Sequence, residues 1–361
     1  MSIIFALIIF SAIVLFHELG HFLLAKRGGI AVTEFSLGMG PRLWSHEWGG
    51  TLYSLKLFPF GGSCLMLGED PEEKNSKDVW PARQSREIPG ADDEHSFQMA
   101  SVWTRISVVA AGPIFNFILA YLMAMIIVAG VGYDSTVINV IPGSAAEAAG
   151  MEDGDQITSI GGSHTFLYRE VSLYSTLHQG QTTEVTYKRD GESYKVTLTP
   201  LQSENGAYLY GFSKSAYRDK GNVVQVLGYS AAEVRYWMKA TVESLSMLVR
   251  GQVGLNEMSG PVGIVDAIGE TYQESRPDGW FYVAMNLLMM AILLSVNLGV
   301  MNLLPIPALD GGRLVFLIIE AIRGKALPAE KESMVHFLGF VFLMGLMVLI
   351  LFNDVYKIFL R

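Results

Sequence analysis

Cysteine is almost absent from this chain, since Cys64 is the only one among 361 residues. A single cysteine excludes an intrachain disulfide framework and a zinc site built from several thiolates. Charged residues are also scarce, at 17% of the chain, and their formal net charge is −9. A negative balance argues against nucleic acid as a partner, because phosphate backbones are bound by clustered basic residues.

Apolar sequence, in contrast, is abundant, and half of all residues are hydrophobic. Four apolar segments are long enough to cross a hydrocarbon core about 30 Å thick. They run from Ile3 to Ala25, from Val108 to Val131, from Phe281 to Leu304 and from Phe337 to Phe352. The first lacks the basic start and small-residue cleavage site of a signal peptide, so we expect it to stay as a helix. The sequence predicts a multi-pass α-helical membrane protein with four transmembrane helices, in contact with the lipid bilayer.

Basic residues between the spans predict the orientation of the chain. Lys26, Arg27 and Arg105 flank the loop between the first two spans, and the loop between the last two is also basic. By the positive-inside rule both loops are cytoplasmic, which places both termini and the long central segment outside. Lys357 and Arg361 at the C-terminus argue weakly for the opposite orientation.

The first span contains the stretch SAIVLFHELGHFLLAK, in which His17, Glu18 and His21 interrupt an apolar helix. A charged side chain at membrane depth costs roughly 2.5 to 3.5 kcal/mol on insertion scales, so it is seldom kept without a role. Residues four apart lie on one helix face, so the two imidazoles can occupy two corners of a tetrahedral zinc site. Glu18 is then placed to take a proton from the attacking water. The alternative is a chance HExxH, which is rare in a chain with seven histidines.

A catalytic zinc site needs a third protein ligand and an open position. Asp310 is the candidate, because Gly311 and Gly312 follow it and would allow the backbone to approach the histidine pair and to turn freely. The alternative for Asp310 alone is a turn aspartate that caps the end of the third span.

Four motifs in order carry a family resemblance. They are HELGH in the first span, AAGPIFNF (Ala110 to Phe117) in the second, SGPVGI (Ser259 to Ile264) before the third and NLLPIPALDGG (Asn302 to Gly312) at its end. The chain resembles the site-2 protease family of intramembrane zinc metalloproteases, and within it the bacterial regulator of sigma E protease type. The resemblance implies one Zn²⁺ per chain held by His17, His21 and Asp310, with Glu18 as general base and Asn297 and Asn302 holding the substrate.

The same resemblance implies a function and a place in the cell. The expected reaction is hydrolysis of peptide bonds within transmembrane segments of single-span membrane proteins, such as anti-sigma factors or signal peptide remnants. The substrates are expected to be trimmed first by another protease. The expected location is the bacterial plasma membrane, with the active site toward the cytoplasmic side. One departure is that this chain has room for a single PDZ-like domain rather than a tandem pair.

The central segment has the pattern of a soluble α+β domain. STVINVIPGSAAEAAGMEDGDQITSIGG predicts a strand, a short helix opened by Ser144 and a second strand, and TEVTYKRDGESYKVTLTP predicts two strands around an Asp-Gly turn. This order resembles a circularly permuted bacterial PDZ domain. The loop that would receive a peptide end contains Leu209, Tyr210, Gly211 and Phe212. The alternative is a small α+β domain with no ligand groove.

Two further predictions concern the substrate. TLYSLKLFPFGGSCLML (Thr51 to Leu67) alternates apolar and polar residues and turns at Gly61 and Gly62, which predicts a re-entrant β-hairpin whose edge pairs with unwound substrate. The alternative is a packed cytoplasmic strand pair. For Asn297 and Asn302 the alternative is hydrogen bonding between helices of the bundle. The acidic stretch from Glu69 to Glu94 is expected to be a solvated cytoplasmic loop.

The predicted organisation follows from these segments. The transmembrane helices occupy 1–27, 106–132, 280–312 and 336–361 with the C-terminus. The cytoplasmic loops occupy 28–105, with the hairpin at 51–67, and 313–335. The PDZ-like domain occupies 133–227, and amphipathic membrane-associated helices occupy 228–279.

Two other function classes remain open on the sequence alone. The chain could be a non-catalytic PDZ membrane scaffold, although an intact HELGH argues against that. It could also be an ion- or proton-coupled transporter, because intramembrane charges also mark ion paths.

Overall fold

The computed structural model describes residues 1–69, 93–203, 206–214, 218–254 and 259–360. It divides the chain into two compact units, Met1–Ala120 with Ser244–Arg361, and Tyr121–Glu243. Most of the acidic stretch from Glu69 to Glu94 lies outside the described residues.

Four long apolar helices agree with the four predicted spans. They are α1 (Ser2–Arg27), α2 (Val102–Val131), α7 (Trp280–Leu303) and α9 (Ala329–Leu360). Each is long and apolar enough to cross a membrane. Helix α2 begins earlier than predicted because the Ser101 hydroxyl accepts the Thr104 amide at 3.2 Å and so caps its first turn.

The predicted hairpin at 51–67 is wrong in its pairing. Strands β1 (Val32–Trp48) and β2 (Thr51–Met66) are both bent, and residues 32–37 of β1 lie between two parts of β2. Glu34, for example, is opposite both Leu52 and Leu65. The result is a four-segment strand order of 42–48, 51–56, 32–37 and 62–66. The two outer pairs are antiparallel, whereas the register of 34–37 against 52–55 runs parallel. The two arms of the expected hairpin therefore flank a third strand instead of pairing with each other.

The segment after α7 also differs from the prediction. We expected the third span to continue to residue 312 and a loop to follow over 313–335. Instead α7 ends at Leu303, and a separate helix, α8 (Asp310–Arg323), begins at Asp310. Pro305 and Pro307 explain the break, because proline has no N–H and disfavours helix in the residue before it. Helix α8 ends where Gly324 adopts a left-handed φ of 68°. The first unit also contains α6 (Pro261–Ser275).

The second unit has the α+β pattern that its sequence predicts. Its elements are β3 (Ile138–Val140), α3 (Ala145–Ala148), β4 (Gln156–Ile160), β5 (Ser163–His164), α4 (Tyr168–Leu177), β6 (Thr183–Arg189), β7 (Glu192–Leu198), β8 (Leu201–Gln202), β9 (Tyr208–Leu209), β10 (Phe212–Lys214) and α5 (Val223–Val249). Strand order is β5-β4-β6-β7, and β10 pairs with β3. Ser144 caps α3 as predicted.

The core and the turns of this unit agree with the sequence pattern. Ile138, Ile157, Ile160 and Val185 are almost completely buried. Asp190 and Gly191 both have positive φ, as expected of an Asp-Gly hairpin turn. Helix α5 begins at Val223, so the predicted domain end at 227 and the predicted start of the amphipathic helices at 228 are both too late. Asn222 and Gln225 exchange side chain to backbone hydrogen bonds there and cap the helix.

Candidate metal centre

The histidine pair of α1 faces a carboxylate from α8. His17 and His21 are both buried, and their Nε2 atoms are 3.2 Å apart. The Asp310 Oδ2 atom lies 3.2 Å from Nε2 of His17 and 3.5 Å from Nε2 of His21. One ligand atom from each residue lies within 4.8 Å of the others. The structure thus brings together the three residues that the sequence predicted as ligands.

The backbone before α8 positions Asp310. A side chain at Gly311 or Gly312 would collide with backbone atoms of residues 303–307, so the first turn of α8 packs directly on this segment. Neither glycine has a positive φ, so the free turn that we expected is absent, and the close backbone approach is to residues 303–307 rather than to the histidine pair. The unusual backbone is at Ala308, whose φ is 74° and whose N–H donates to His336 Nδ1 at 2.9 Å.

Helix α2 supplies a second set of contacts to the histidines. The Val108 carbonyl oxygen lies 2.9 Å from His21 Nδ1, and the Asn116 amide lies 3.1 Å from His17 Nδ1. Gly112 lies between them, where a side chain would collide with both imidazoles. Our sequence reasoning assigned no role to these three residues. The three residues are spaced by four, within and just before the AAGPIFNF motif, which places them on one helix face. That spacing could have indicated a shared role.

The chemistry of these atoms fits a cation. His21 Nδ1 donates to a carbonyl, so its Nε2 carries a lone pair. Asp310 Oδ2 is buried and has no hydrogen-bond donor among the described residues. Such converging acceptors are costly without a compensating charge. Two imidazoles and one carboxylate form a donor set that suits catalytic zinc, which takes three protein ligands and leaves one position open.

Glu18 lies beside the outer strand of the sheet. A Cβ built on Gly62 would be 3.3 Å from Glu18 Cγ and 3.5 Å from a methyl group of Val14. Gly62, at the start of the segment 62–66, therefore lies against α1 next to Glu18. In the part of the chain that the structure describes, no further strand pairs with the outer edge of this segment.

The predicted substrate-binding residues are in part near the centre. The Asn302 amide lies 3.5 Å from His17 Nε2, at the end of α7. Asn297 lies earlier on α7 and is half-buried. Gly62 is beside Glu18, whereas Gly61 adjoins Met39 on β1.

The predicted peptide loop of the second unit is largely packed. Tyr210 is buried, and its hydroxyl donates to the Gln181 carbonyl at 3.1 Å. The ring of Phe212 stacks on Tyr210, with ring centroids 6.1 Å apart. Gly211 has a φ of 93°, and only Leu209 exposes about half of its surface. The groove assignment of these residues stays a prediction.

The chain is similar to a known peptidase family over most of its length. The profile of Peptidase family M50 matches residues 5–346. The chain is 35% identical to the regulator of sigma-W protease RasP of Bacillus subtilis and 34% identical to the zinc metalloprotease RasP of Geobacillus kaustophilus. Each match covers 99% of this chain and 99% of the relative.

A solved structure is similar to part of the chain. It is the PDZ domain of the SdrC-like protein Lmo2051 from Listeria monocytogenes, which is 21% identical with a TM-score of 0.21 and covers 23% of this chain and 90% of the domain. The family match and the full-length relatives are sufficient to assign the family, and this structural similarity is not needed for it. The chain belongs to Peptidase family M50, the site-2 protease family, and is an intramembrane zinc metalloprotease.

Proposed function

We propose that this protease cleaves transmembrane segments of single-span membrane proteins, with zinc held by His17, His21 and Asp310 and with Glu18 as general base. The convergence of the three ligand atoms carries this proposal, since they come from α1 and α8 and the half-buried Glu18 follows His17 directly in the chain. Bound zinc would polarise the scissile carbonyl and make water more acidic. Glu18 accepts the proton of the attacking water and can return it to the leaving amine.

The β-sheet offers a way to present the substrate. A transmembrane helix shields its carbonyls in internal hydrogen bonds, so it must unwind before one can be attacked. We assign residues 62–66 as the edge to which the unwound segment adds as a strand, in place of the hairpin edge expected from sequence. Gly62 lies beside Glu18, so a strand added at this edge would pass close to the proposed base. Asn302, near His17, and Asn297 offer amides to the freed backbone.

Metal analysis tests the ligand assignment. The parent protein should purify with about one zinc per chain, whereas His17→Ala and Asp310→Asn proteins should lose most of it. His46→Ala is a matched control, because His46 is an exposed histidine on β1, outside the cluster. Unchanged zinc content in the His17→Ala and Asp310→Asn proteins would refute the assignment.

The substrate class and the role of the second unit extend this proposal. The Bacillus relative is named as a regulator of sigma-W protease, which favours membrane-bound regulators such as anti-sigma factors as substrates. We place both termini and the second unit outside a bacterial plasma membrane and the metal centre toward the cytoplasm. By this assignment the domain acts on access, either by excluding long outer segments or by holding a newly exposed chain end in its groove.

Deletion of the domain tests that role. A protein lacking residues 135–212 should cleave a pre-trimmed single-span substrate at a rate similar to that of the parent and should also cleave an untrimmed one. Both substrates are followed over time in detergent and in membranes, with zinc content as the control for folding of the metal centre. Equal loss of activity on both substrates with normal zinc would show instead that the domain belongs to the catalytic scaffold.

A further inference from the structure

Asn116 is a buried amide in the second span, and its side-chain oxygen has no partner within the described part of the chain. The residue is completely buried, and its Oδ1 atom lacks a hydrogen bond among the described residues. Its Nδ2 atom lies 3.1 Å from His17 Nδ1, and its backbone carbonyl accepts the Ser295 hydroxyl of α7 at 2.8 Å. A buried polar atom without a partner costs roughly 1 to 3 kcal/mol, so this arrangement calls for a physical reason.

The orientation of the amide decides the tautomer of His17. If the amide nitrogen faces Nδ1, that ring atom must accept, and the proton sits on Nε2 among the ligand atoms. A half-turn of the amide exchanges its oxygen and nitrogen with little change of shape. The Oδ1 atom then accepts from Nδ1–H, and the lone pair of Nε2 is directed at the metal position. The second orientation therefore gives the unpartnered oxygen a hydrogen-bond donor and also leaves His17 Nε2 free to bind the metal.

We propose that Asn116 is a positioning residue that holds His17 in the metal-binding tautomer through an Nδ1–H to Oδ1 hydrogen bond. His21 already has the equivalent contact, because its Nδ1 lies 2.9 Å from the Val108 carbonyl. Helix α2 thus orients both imidazoles, one through its backbone and the other through a side chain. Outer partners of this kind fix the orientation of ligating histidines and raise their basicity. This inference rests on the proposed ligand role of His17.

Zinc affinity measured by chelator competition on the full chain in detergent tests the inference. Asn116→Leu keeps a similar volume but removes the acceptor, and it should weaken zinc binding about 10- to 100-fold. Asn116→Asp keeps an acceptor at the same place and should restore affinity to near the parent value. Ser295→Ala is the matched control, since it removes a hydrogen bond to the Asn116 backbone but leaves the amide unchanged.

A second readout reports the ligand geometry directly. The visible spectrum of the cobalt-substituted protein should match between the parent, Asn116→Asp and Ser295→Ala proteins and should differ for Asn116→Leu. Equal weakening in the Asn116→Asp and Asn116→Leu proteins would show that Asn116 acts only through packing and would overturn the inference. If His17→Ala loses zinc while Asn116→Leu binds it normally, this inference fails and the ligand assignment stands. If His17→Ala keeps its zinc, the ligand assignment itself fails.

Discussion

Two polar clusters, each built around buried side chains, differ in how their charges are balanced. The metal centre of the first unit gathers His17, His21 and Asp310, and the buried Oδ2 atom of Asp310 has no hydrogen-bond donor among the described residues. The charge cluster of the second unit, formed by Asp134, Glu170, Arg169, Glu233 and Arg235, alternates acids with guanidinium groups.

Each acid of the charge cluster has a basic partner. Arg169 lies 3.0 Å from Glu233 and 3.3 Å from Asp134, and Arg235 lies 3.0 Å from Glu170. Glu170 also accepts the Phe166 and Leu167 amides that precede α4. These contacts join α4 to α5 within the unit. The comparison teaches that burial of polar groups does not by itself mark a site. A buried acceptor that lacks a donor calls for a ligand, whereas a cluster in which each acid has a basic partner stabilises the fold.

The largest expected effect concerns catalysis at the metal centre. Glu18→Gln should lower the rate of peptide cleavage by about 10²- to 10⁴-fold, because an amide cannot take the proton of water. Zinc content should stay at the parent level, since Glu18 is not a proposed ligand. Cleavage of a single-span substrate in detergent, measured together with metal content, checks both statements.

Glu47→Gln provides the matched control for Glu18, since Glu47 is an exposed glutamate on β1. It should cleave at the parent rate. Turnover of the Glu18→Gln protein near that rate would remove Glu18 from the mechanism.

The next largest effect concerns the stability that the charge cluster gives to the second unit. Arg169→Met removes the hydrogen-bonded partner of Glu233, while Asp134 keeps Arg218. Breaking a largely buried pair in this way costs up to roughly 3 to 5 kcal/mol. Hydrogen exchange of the full chain should show faster exchange in α4 and in the part of α5 around Glu233, while zinc content stays unchanged. His17→Ala should show the reverse, with zinc lost and this exchange unaltered.

Lys195→Ala is the control for charge removal in the same unit, because Lys195 and Glu184 form an exposed pair 2.8 Å apart. Its effect should stay below about 1 kcal/mol. Zinc loss in the Arg169→Met protein would mean that the two clusters are energetically coupled.

The sequence predicted the parts of the centre that follow from local geometry. The HELGH spacing fixed the histidine pair, because helical periodicity leaves little freedom over four residues. Asp310 was a candidate from its glycines and from the family resemblance, yet its position depends on a chain break at Pro305 and Pro307 that sequence periodicity did not locate. Asn116 escaped notice because an amide in an apolar helix also suits ordinary helix packing.

The pairing of the sheet could not be predicted because it depends on nonlocal contacts. Thr51 to Leu67 alternates well enough to suggest a hairpin, but the intervening strand comes from 32–37, where Glu34 and Ser36 conceal the apolar pattern. Register is set by which faces are buried, and that is decided only when all strands are present. In the second unit the turns and caps are local, so its elements were predicted with small errors at their ends.

Another buried carboxylate stabilises the fold rather than a ligand site. Asp354 of α9 is buried, and it accepts the Gly260 and Gly263 amides at 3.1 and 2.9 Å, which caps the start of α6. Asp354→Ala should cost about 1 to 3 kcal/mol, because two amides at a helix N-terminus lose a charged acceptor. Exchange of α6 amides should accelerate with zinc unchanged. Asp354→Asn, which can still accept one bond, should lie between the parent and the alanine protein.

The smallest expected effect is a pH dependence within the charge cluster. Burial alone would raise the pKa of Asp134, but Arg218, Lys214 and Arg169 lower it below its usual value. A carboxylate with a lowered pKa adds stability above its unfolded pKa of about 3.9, and this stability is lost as the pH falls through the folded pKa. Asp134→Asn should therefore cost most near neutral pH, and its difference from the parent should shrink on acidification.

The pKa of Glu233 is shifted in the opposite direction, so this residue serves as the control for Asp134. Burial raises its pKa above the usual value, in spite of Arg169 and Arg218 and together with the nearby Asp134 and Glu170. Ionised Glu233 thus opposes folding as the pH rises through its folded pKa, and Glu233→Gln should remove that slope. Protection factors of β6 and β7 amides between about pH 3 and pH 6 measure both slopes, each below about 1.4 kcal/mol per pH unit. Parallel profiles for the parent and Asp134→Asn proteins would show that Asp134 is not held by its basic neighbours.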